Sequence, residues 1–366
     1  MSYKFLMTKA QKKRILVIFT GGTFGMGPTL EVQNLGSKEL KTWLHDQVPE
    51  MNQIAKCDVH VLYNLDSCQF QAEHWFELAN HLHLALGNAK GSQKFDGVVV
   101  LHGTDTMAHS AAAIACLLSP TPVPIVFTGA QKPLSTLRND ARSNLISALE
   151  LATQAPKALQ NRVLVAFGNQ VFLGSRIRKK SARQFAAYDS PRFPVLATIG
   201  SEIIFHEIIN HLPLLKAKKP LLTRFKGTDA PLPQILSTNL SPQFPSALAQ
   251  VPFLESLDGI LLHLYASGTA PTHYAPFQVF LENAKKLHTP IFAITEREDE
   301  IRKMGTYPSG KELEKQNVLW SADLTPEAAF VKAWLLRELH ADLDKKEYYQ
   351  WLQKNWNTAL ADECLS

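Results

Sequence analysis

The chain has 366 residues, 45% of them hydrophobic and 19% charged, with a formal net charge of +5. At roughly 150 residues per domain this length predicts two globular domains, each able to bury its own core, and the composition excludes a disordered chain. The basic residues are scattered through Lys12–Arg14, Arg178–Lys180, Lys216–Lys219 and Lys345–Lys346 instead of lining one element, which argues against a nucleic-acid partner.

The N-terminal stretch carries Lys4, Lys9, Lys12, Lys13 and Arg14, and the apolar run behind it, Ile15–Phe19, is too short for a signal-peptide core. No run approaches the ~18 apolar residues of a membrane span. Cys57, Cys68, Cys116 and Cys364 lie far apart with no CxxC pair, so neither a zinc knuckle nor a disulfide framework is expected. A cytoplasmic protein without metal or cofactor, and with no membrane partner, is the expectation.

Ile15–Phe19, Val59–Tyr63, Val98–Leu101, Ile125–Phe127 and Val163–Phe167 are short apolar runs, the pattern of strands buried on both faces of a parallel sheet. Helical stretches alternate with them at Ser37–Asp46, Ala72–Leu86, Thr106–Leu118 and Leu137–Ala152, which predicts a doubly wound α/β sheet. From Pro191 to Ser241 the pattern loosens. A second βα series follows: Gly259–Leu264, a helix over Phe277–Lys286, Ile291–Thr295, and a helix from Thr325 with that residue as N-cap and Pro326 at the first position. The fold class is therefore α/β with two unequal domains, a larger N-terminal, mostly parallel sheet and a smaller C-terminal parallel one. The expected division is residues 1–214 with the catalytic groups, a connector over 215–232, and residues 233–366.

Ligands of open α/β sheets bind beyond the carboxyl ends of the strands, and three unusual segments fall there. Thr20-Gly21-Gly22-Thr23 follows the first strand, and its glycines permit a sharp turn that presents the Thr23 hydroxyl. A phosphate-cradling reading of that loop is disfavoured because no GK[ST] follows. His102-Gly103-Thr104-Asp105-Thr106-Met107 ends the strand Val98–Leu101. A helix cap would explain Thr104 or Asp105 but not the whole set. Thr128-Gly129-Ala130-Gln131 ends the strand Ile125–Phe127. His206-Glu207 with His211 has histidines five apart, which do not share a helical face, so zinc is not expected.

Together with Asp66-Ser67 ahead of Trp75 and the segment Tyr265–Pro271, these motifs make residues 14 to 340 resemble the bacterial-type L-asparaginases, in particular their cytosolic type I branch. The resemblance implies Thr23 as first-step nucleophile, Thr104 and Asp105 from the HGTDTM hexapeptide, and a catalytic lysine in Gly174-x-Arg176-x-x-Lys179. It implies that Asp66 and Ser67 grip the α-groups of L-asparagine, that Thr104, Asp105 and Ala130 also touch substrate, and that the protein is a homotetramer built as a dimer of dimers. The chemistry agrees: a threonine hydroxyl is a poor nucleophile and needs a base within reach, which a neutral lysine can supply. Two rivals are weighed. The asparaginase-like subunit of a tRNA-dependent amidotransferase would carry an extra N-terminal domain, and a non-catalytic binding protein would not keep Thr23, Thr104, Asp105 and Lys179 together. The chain departs from the family in three places. The loop Phe24–Leu35 has no tyrosine, Cys68 replaces a polar residue, and Thr295–Ile301 replaces a neutral, cysteine-containing stretch.

Overall fold

The computed structural model describes residues 12–26, 37–88, 94–215, 219–225, 231–295 and 305–364. The first part of the chain runs through β1 (Arg14–Gly21), β2 (Lys56–Leu65), β3 (Gly97–Leu101), β4 (Ile125–Thr128), β5 (Val163–Phe167) and β6 (Gln170–Leu173). A small hairpin, β7 (Arg178–Lys179) and β8 (Tyr188–Asp189), stands apart, and β9 (Ala197–Ile199) and β10 (Ile203–Phe205) rejoin the sheet. The large sheet has the order β10-β9-β6-β5-β4-β3-β1-β2. Its β5-β4-β3-β1-β2 portion is parallel, and β6, β9 and β10 add an antiparallel wing.

Strict alternation splits the strands between two cores. Ile15, Val17 and Phe19 pack with α1 (Ser37–Gln47), α2 (Met51–Ile54) and a later helix carrying Leu145 and Leu149. Leu16, Ile18, Val98 and Val100 face the other way, onto α3 (Ala72–Asn88) and α4 (Met107–Leu118). β1 and β3 are buried along almost their whole length, as apolar runs in a covered parallel sheet should be. β2 differs: as the edge strand it stays half-exposed beyond Val59, which is why His60 and Asn64 are tolerated there.

The helix expected over Leu137–Ala152 begins later, as α5 (Ala141–Gln154), and Leu137 is exposed in the preceding turn. The cause is Asp140, whose carboxylate accepts the N–H groups of Gln131 and Lys132 at 3.0 Å and the Asn144 amide at 3.1 Å. The chain before it is thereby folded back on β4 instead of continuing the helix.

The second series is a four-stranded parallel sheet, β11 (Ile235–Asn239), β12 (Gly259–Leu264), β13 (Ile291–Thr295) and β14 (Leu319–Trp320), in sequential order. Around it lie α6 (Val251–Glu255), α7 (Ala275–Lys286), α8 (Pro308–Lys315), α9 (Pro326–Leu339) and α10 (Lys345–Asn355). α9 starts as the sequence predicts, with the Thr325 hydroxyl accepting from Ala328 N–H at 3.2 Å. It packs between α4 and the small sheet, so Leu261, Phe292 and Ile294 share one core with Leu16 and Val98. Residues 216–218 and 226–230 of the expected connector, including most of the Lys216–Lys219 patch, lie outside the described residues, as does most of Thr295–Ile301. Among the described residues no helix is long and apolar enough to cross a membrane.

Lys332 on α9 and Glu363 form a fully buried ion pair at 3.0 Å. The Glu363 carboxylate also accepts from Leu360 and Ala361 N–H, and the Lys332 ammonium donates to Thr358 O. Removing one partner strands the other charge in the core. Lys332→Met is therefore expected to cost about 3–5 kcal/mol in urea unfolding, and adding Glu363→Gln to restore part of the loss. Additive losses in the double variant would contradict the pairing.

Candidate active site

The chain runs from β1 outward to β2 and then returns to the other side of β1 as β3, so the strand order reverses between β1 and β3. Loops leaving the two strands in opposite directions open a crevice there, at the carboxyl ends. Thr23 follows β1, Asp66 and Ser67 follow β2, Thr104 and Asp105 follow β3, and Ala130 follows β4. Five of the six strand-end residues come from the three strands that meet at this reversal.

Close contact is possible because the turns carry glycine. A Cβ on Gly22, whose φ is 81°, would lie 2.3 Å from Gly103 Cα. A Cβ on Gly103 would lie 2.6 Å from Ser67 Cβ, and one on Gly129 2.2 Å from His102 O. The Thr23, Ser67 and Thr104 turns are thus in van der Waals contact through bare backbone. The Ser67 hydroxyl accepts the Asp105 N–H at 3.2 Å, and Ser67 O accepts the Thr106 hydroxyl at 2.8 Å. Asp66 is exposed and caps its own turn by accepting Cys68 N–H at 3.1 Å.

Lys179 arrives from the separate hairpin. Its ammonium donates to Thr104 Oγ1 at 2.7 Å and pairs with Asp105 Oδ1 at 2.7 Å. Neighbouring Lys180 turns away to Asp189 at 3.1 Å. The Lys179 side chain is 17% exposed and the Thr104 hydroxyl lies beneath it, whereas Asp105 is 63% exposed to the crevice. Thr23 is half-buried at the start of a 3-10 turn over Thr23–Gly25, and its hydroxyl makes no hydrogen bond among the described residues. The structure thus joins Thr104, Asp105, Lys179 and Ser67 in one bonded group, with Ala130 buried below and Thr23 and Asp66 beside it. The rest of the loop behind Thr23, from residue 27 to 35, lies outside the described residues.

Three supporting residues carried no sequence signal of their role. Gln131 accepts the Thr104 hydroxyl at 3.3 Å and donates its amide to Ser181 O and Gln184 O at 3.0 and 3.3 Å, which fixes which end faces Thr104. Tyr188, paired across the hairpin with Lys179, donates its hydroxyl to Thr104 O. Burial, then the charges of Asp105 and Glu327, push the Tyr188 phenol well above its ordinary value, so it remains a donor. Asp140 anchors the Gln131 turn. Gln131 lies in the Thr128–Gln131 motif, but its bond to Thr104, like the bond of Tyr188 to Thr104 O, joins residues that only folding brings near. His206 is structural: it bonds to Thr198 Oγ1 and Val195 O, and no metal-competent group of three ligands occurs among the described residues.

The family model for the asparaginase N-terminal domain matches residues 14–210, which hold every one of these groups. The chain belongs to the asparaginase family. L-asparaginase 1 of Escherichia coli is 29% identical over 357 residues, covering 96% of this chain and 99% of that protein. The mouse 60 kDa lysophospholipase is 30% identical over 351 residues, and there the match takes in 88% of this chain and only 58% of the relative's length. Among solved structures, L-asparaginase I from Vibrio cholerae superposes with a TM-score of 0.76 at 28% identity, over 98% of this chain and 100% of that one.

His102, the first residue of the family hexapeptide, is buried between Phe70 and Phe127. Its Nδ1–H donates to Gly103 O at 2.8 Å while Nε2 has no partner among the described residues. Burial pulls the imidazole down to about 4, against a smaller opposing effect of the Gly103 bond. The unfolded chain takes up this proton near pH 6.5 and the folded one only near 4, so stability falls as pH drops through that window. His102→Phe keeps the ring packing and is expected to flatten the urea midpoint plotted against pH between about 6.5 and 4. Equal slopes in both proteins would show that the imidazole is not held neutral.

Proposed function

We propose that this protein hydrolyses L-asparagine to L-aspartate and ammonia through a threonine acyl-enzyme. The observation that carries the reading is the Lys179 ammonium bonded at once to Thr104 and Asp105 at the reversal of strand order, beside the Thr23 turn. In the first half-reaction Thr23 Oγ1 attacks the side-chain amide carbon, the C–N bond breaks, and the hydroxyl proton leaves with ammonia. In the second, water attacks the ester. Lys179, acting through Thr104, takes the water proton and returns it to Thr23, releasing aspartate.

Substrate recognition follows from the same atoms. Ser67 Oγ already accepts one N–H, which leaves its own O–H to donate to the substrate α-carboxylate. The exposed carboxylates of Asp66 and Asp105 suit the α-ammonium, and Ala130 completes the wall behind the amide. No metal or other cofactor enters this scheme. The remaining parts of the reading are a cytoplasmic protein without nucleic-acid or membrane partner, acting as a homotetramer of paired dimers.

Ammonia release from L-asparagine by the purified protein is the direct test, and inertness toward it would end the proposal. Thr23→Ala, Thr104→Val and Lys179→Met are each expected to lower kcat by roughly a thousandfold or more with folding intact, while Lys180→Met stays near wild type. Near-normal turnover by Lys179→Met would remove it as the base. Added hydroxylamine should intercept the ester and yield aspartyl hydroxamate. Its absence at any concentration would point to direct attack by water and leave Thr23 only a positioning role.

A further inference from the structure

Among the described residues, Lys179 is delivered by a strand of two residues paired with β8 alone, and not by the large sheet. A strand so short has little intrinsic means of fixing its own twist. Its neighbours on either side supply what it lacks. Successive side chains of an extended chain point to opposite faces, so Arg178 points away from Thr104 when Lys179 points toward it. On that far side Arg178 Nε pairs with Glu327 Oε1 at 3.2 Å, in the first turn of α9.

Two residues earlier, Arg176 is 1% exposed and pairs with Asp323 Oδ2 at 2.6 Å. It also donates to Asp323 O at 3.2 Å and Asp362 O at 2.5 Å, with the Phe193 ring 5.1 Å from its guanidinium carbon. Arg192, beyond β8, donates to Ala322 O and Leu324 O at 3.2 and 2.7 Å. The segment around β7 and β8 is therefore hooked at three points onto residues 322–327, which belong to the second sheet's half of the chain. Both histidines that face Arg178 are poor competitors for Glu327. Burial, and then Arg178 itself, brings His109 down to about 4 and lowers His263 as well.

We propose that Glu327 and Asp323, through Arg178 and Arg176, are positioning residues for the reaction: the start of α9 sets the direction in which β7 aims the Lys179 ammonium. The inference rests on the asparaginase reading for its catalytic consequence, but not for its structural one. A carboxylate that never meets substrate then controls turnover and not affinity. It also makes the second half of the chain a part of the catalytic apparatus, although the proposed catalytic and substrate-binding residues lie in the first half.

The test uses the full-length protein and Glu327→Gln, with Glu327→Asp as the charge-retaining variant and Arg178→Gln as a second way to cut the same contact. Two readouts are taken: kcat and KM on L-asparagine, and amide hydrogen exchange across residues 176–181. Lys180 N–H, which donates to Ala187 O at 2.8 Å, serves as the internal reporter. A misaimed base is expected to lower kcat roughly 10- to 100-fold with KM within about threefold. Exchange at 176–181 should rise while α4 and α5 stay protected, and Glu327→Asp should recover most of both. Unchanged exchange in Glu327→Gln and Arg178→Gln overturns the proposal. So does faster exchange with unaltered kcat, or a rise in KM alone. If wild-type protein releases no ammonia from asparagine, the functional reading fails by itself, and the exchange data still decide whether α9 holds β7.

Discussion

A methyl group on Gly22 would overlap Gly103 Cα at 2.3 Å, and one on Gly103 would overlap Ser67 at 2.6 Å. This stack of bare backbone is what lets the turns behind β1, β2 and β3 touch at the point where strand order reverses. Everything chemical is hung on it. With the turns in contact, Ser67 can receive the Asp105 N–H and Thr104 can sit beneath the crevice within reach of a cation. Spread them by one side chain and the hydroxyls and carboxylates would remain, each at its strand end, without a common centre. The Gly22 φ of 81° adds a second reason for glycine at that position, since other residues are strained there.

The charges of the molecule are arranged with the same economy. Buried ions are tolerated only where a partner is within hydrogen-bond reach, and the described core obeys this with Lys332–Glu363, Arg176–Asp323 and Arg162–Asp362. Two of these pairs join the first half of the chain to the second. Lys332–Glu363 ties α9 to the segment 358–363, while Arg176–Asp323 and Arg162–Asp362 tie residues just beside β6 and β5 to the second half of the chain. Lys179–Asp105 is different in kind. Its carboxylate is largely exposed, so a substrate ammonium can compete for it.

Much of this was legible in the residues. The five apolar runs of the first series all became strands of the large sheet, and Gly259–Leu264 and Ile291–Thr295 became the middle of the small one. Unbroken runs of β-branched and aliphatic residues leave little alternative to a covered strand. What escaped was short or contextual. β6, β9 and β10 have three or four residues each, too few for a periodic signal, and they turn the sheet's wing antiparallel. The start of α5 was misplaced because Asp140 is engaged by Gln131 and Lys132, nine and eight residues before it in the chain.

By itself the sequence determined the elements, the two-sheet α/β class and the identity of the residues at the strand ends, because these depend on local composition and on motifs a few residues long. It also singled out Thr23, Asp66, Ser67, Thr104, Asp105, Ala130 and Lys179. Only the tertiary structure decided that β3 lies beside β1 and not beyond β2. That adjacency rests on pairings between residues some 80 apart, and no local pattern encodes it. It likewise decided that Lys179, and not Lys180, reaches Thr104. The motif marks Lys179, but the different contacts of the two adjacent lysines arise only because an extended chain points successive side chains to opposite faces, and one of those faces is already held by α9.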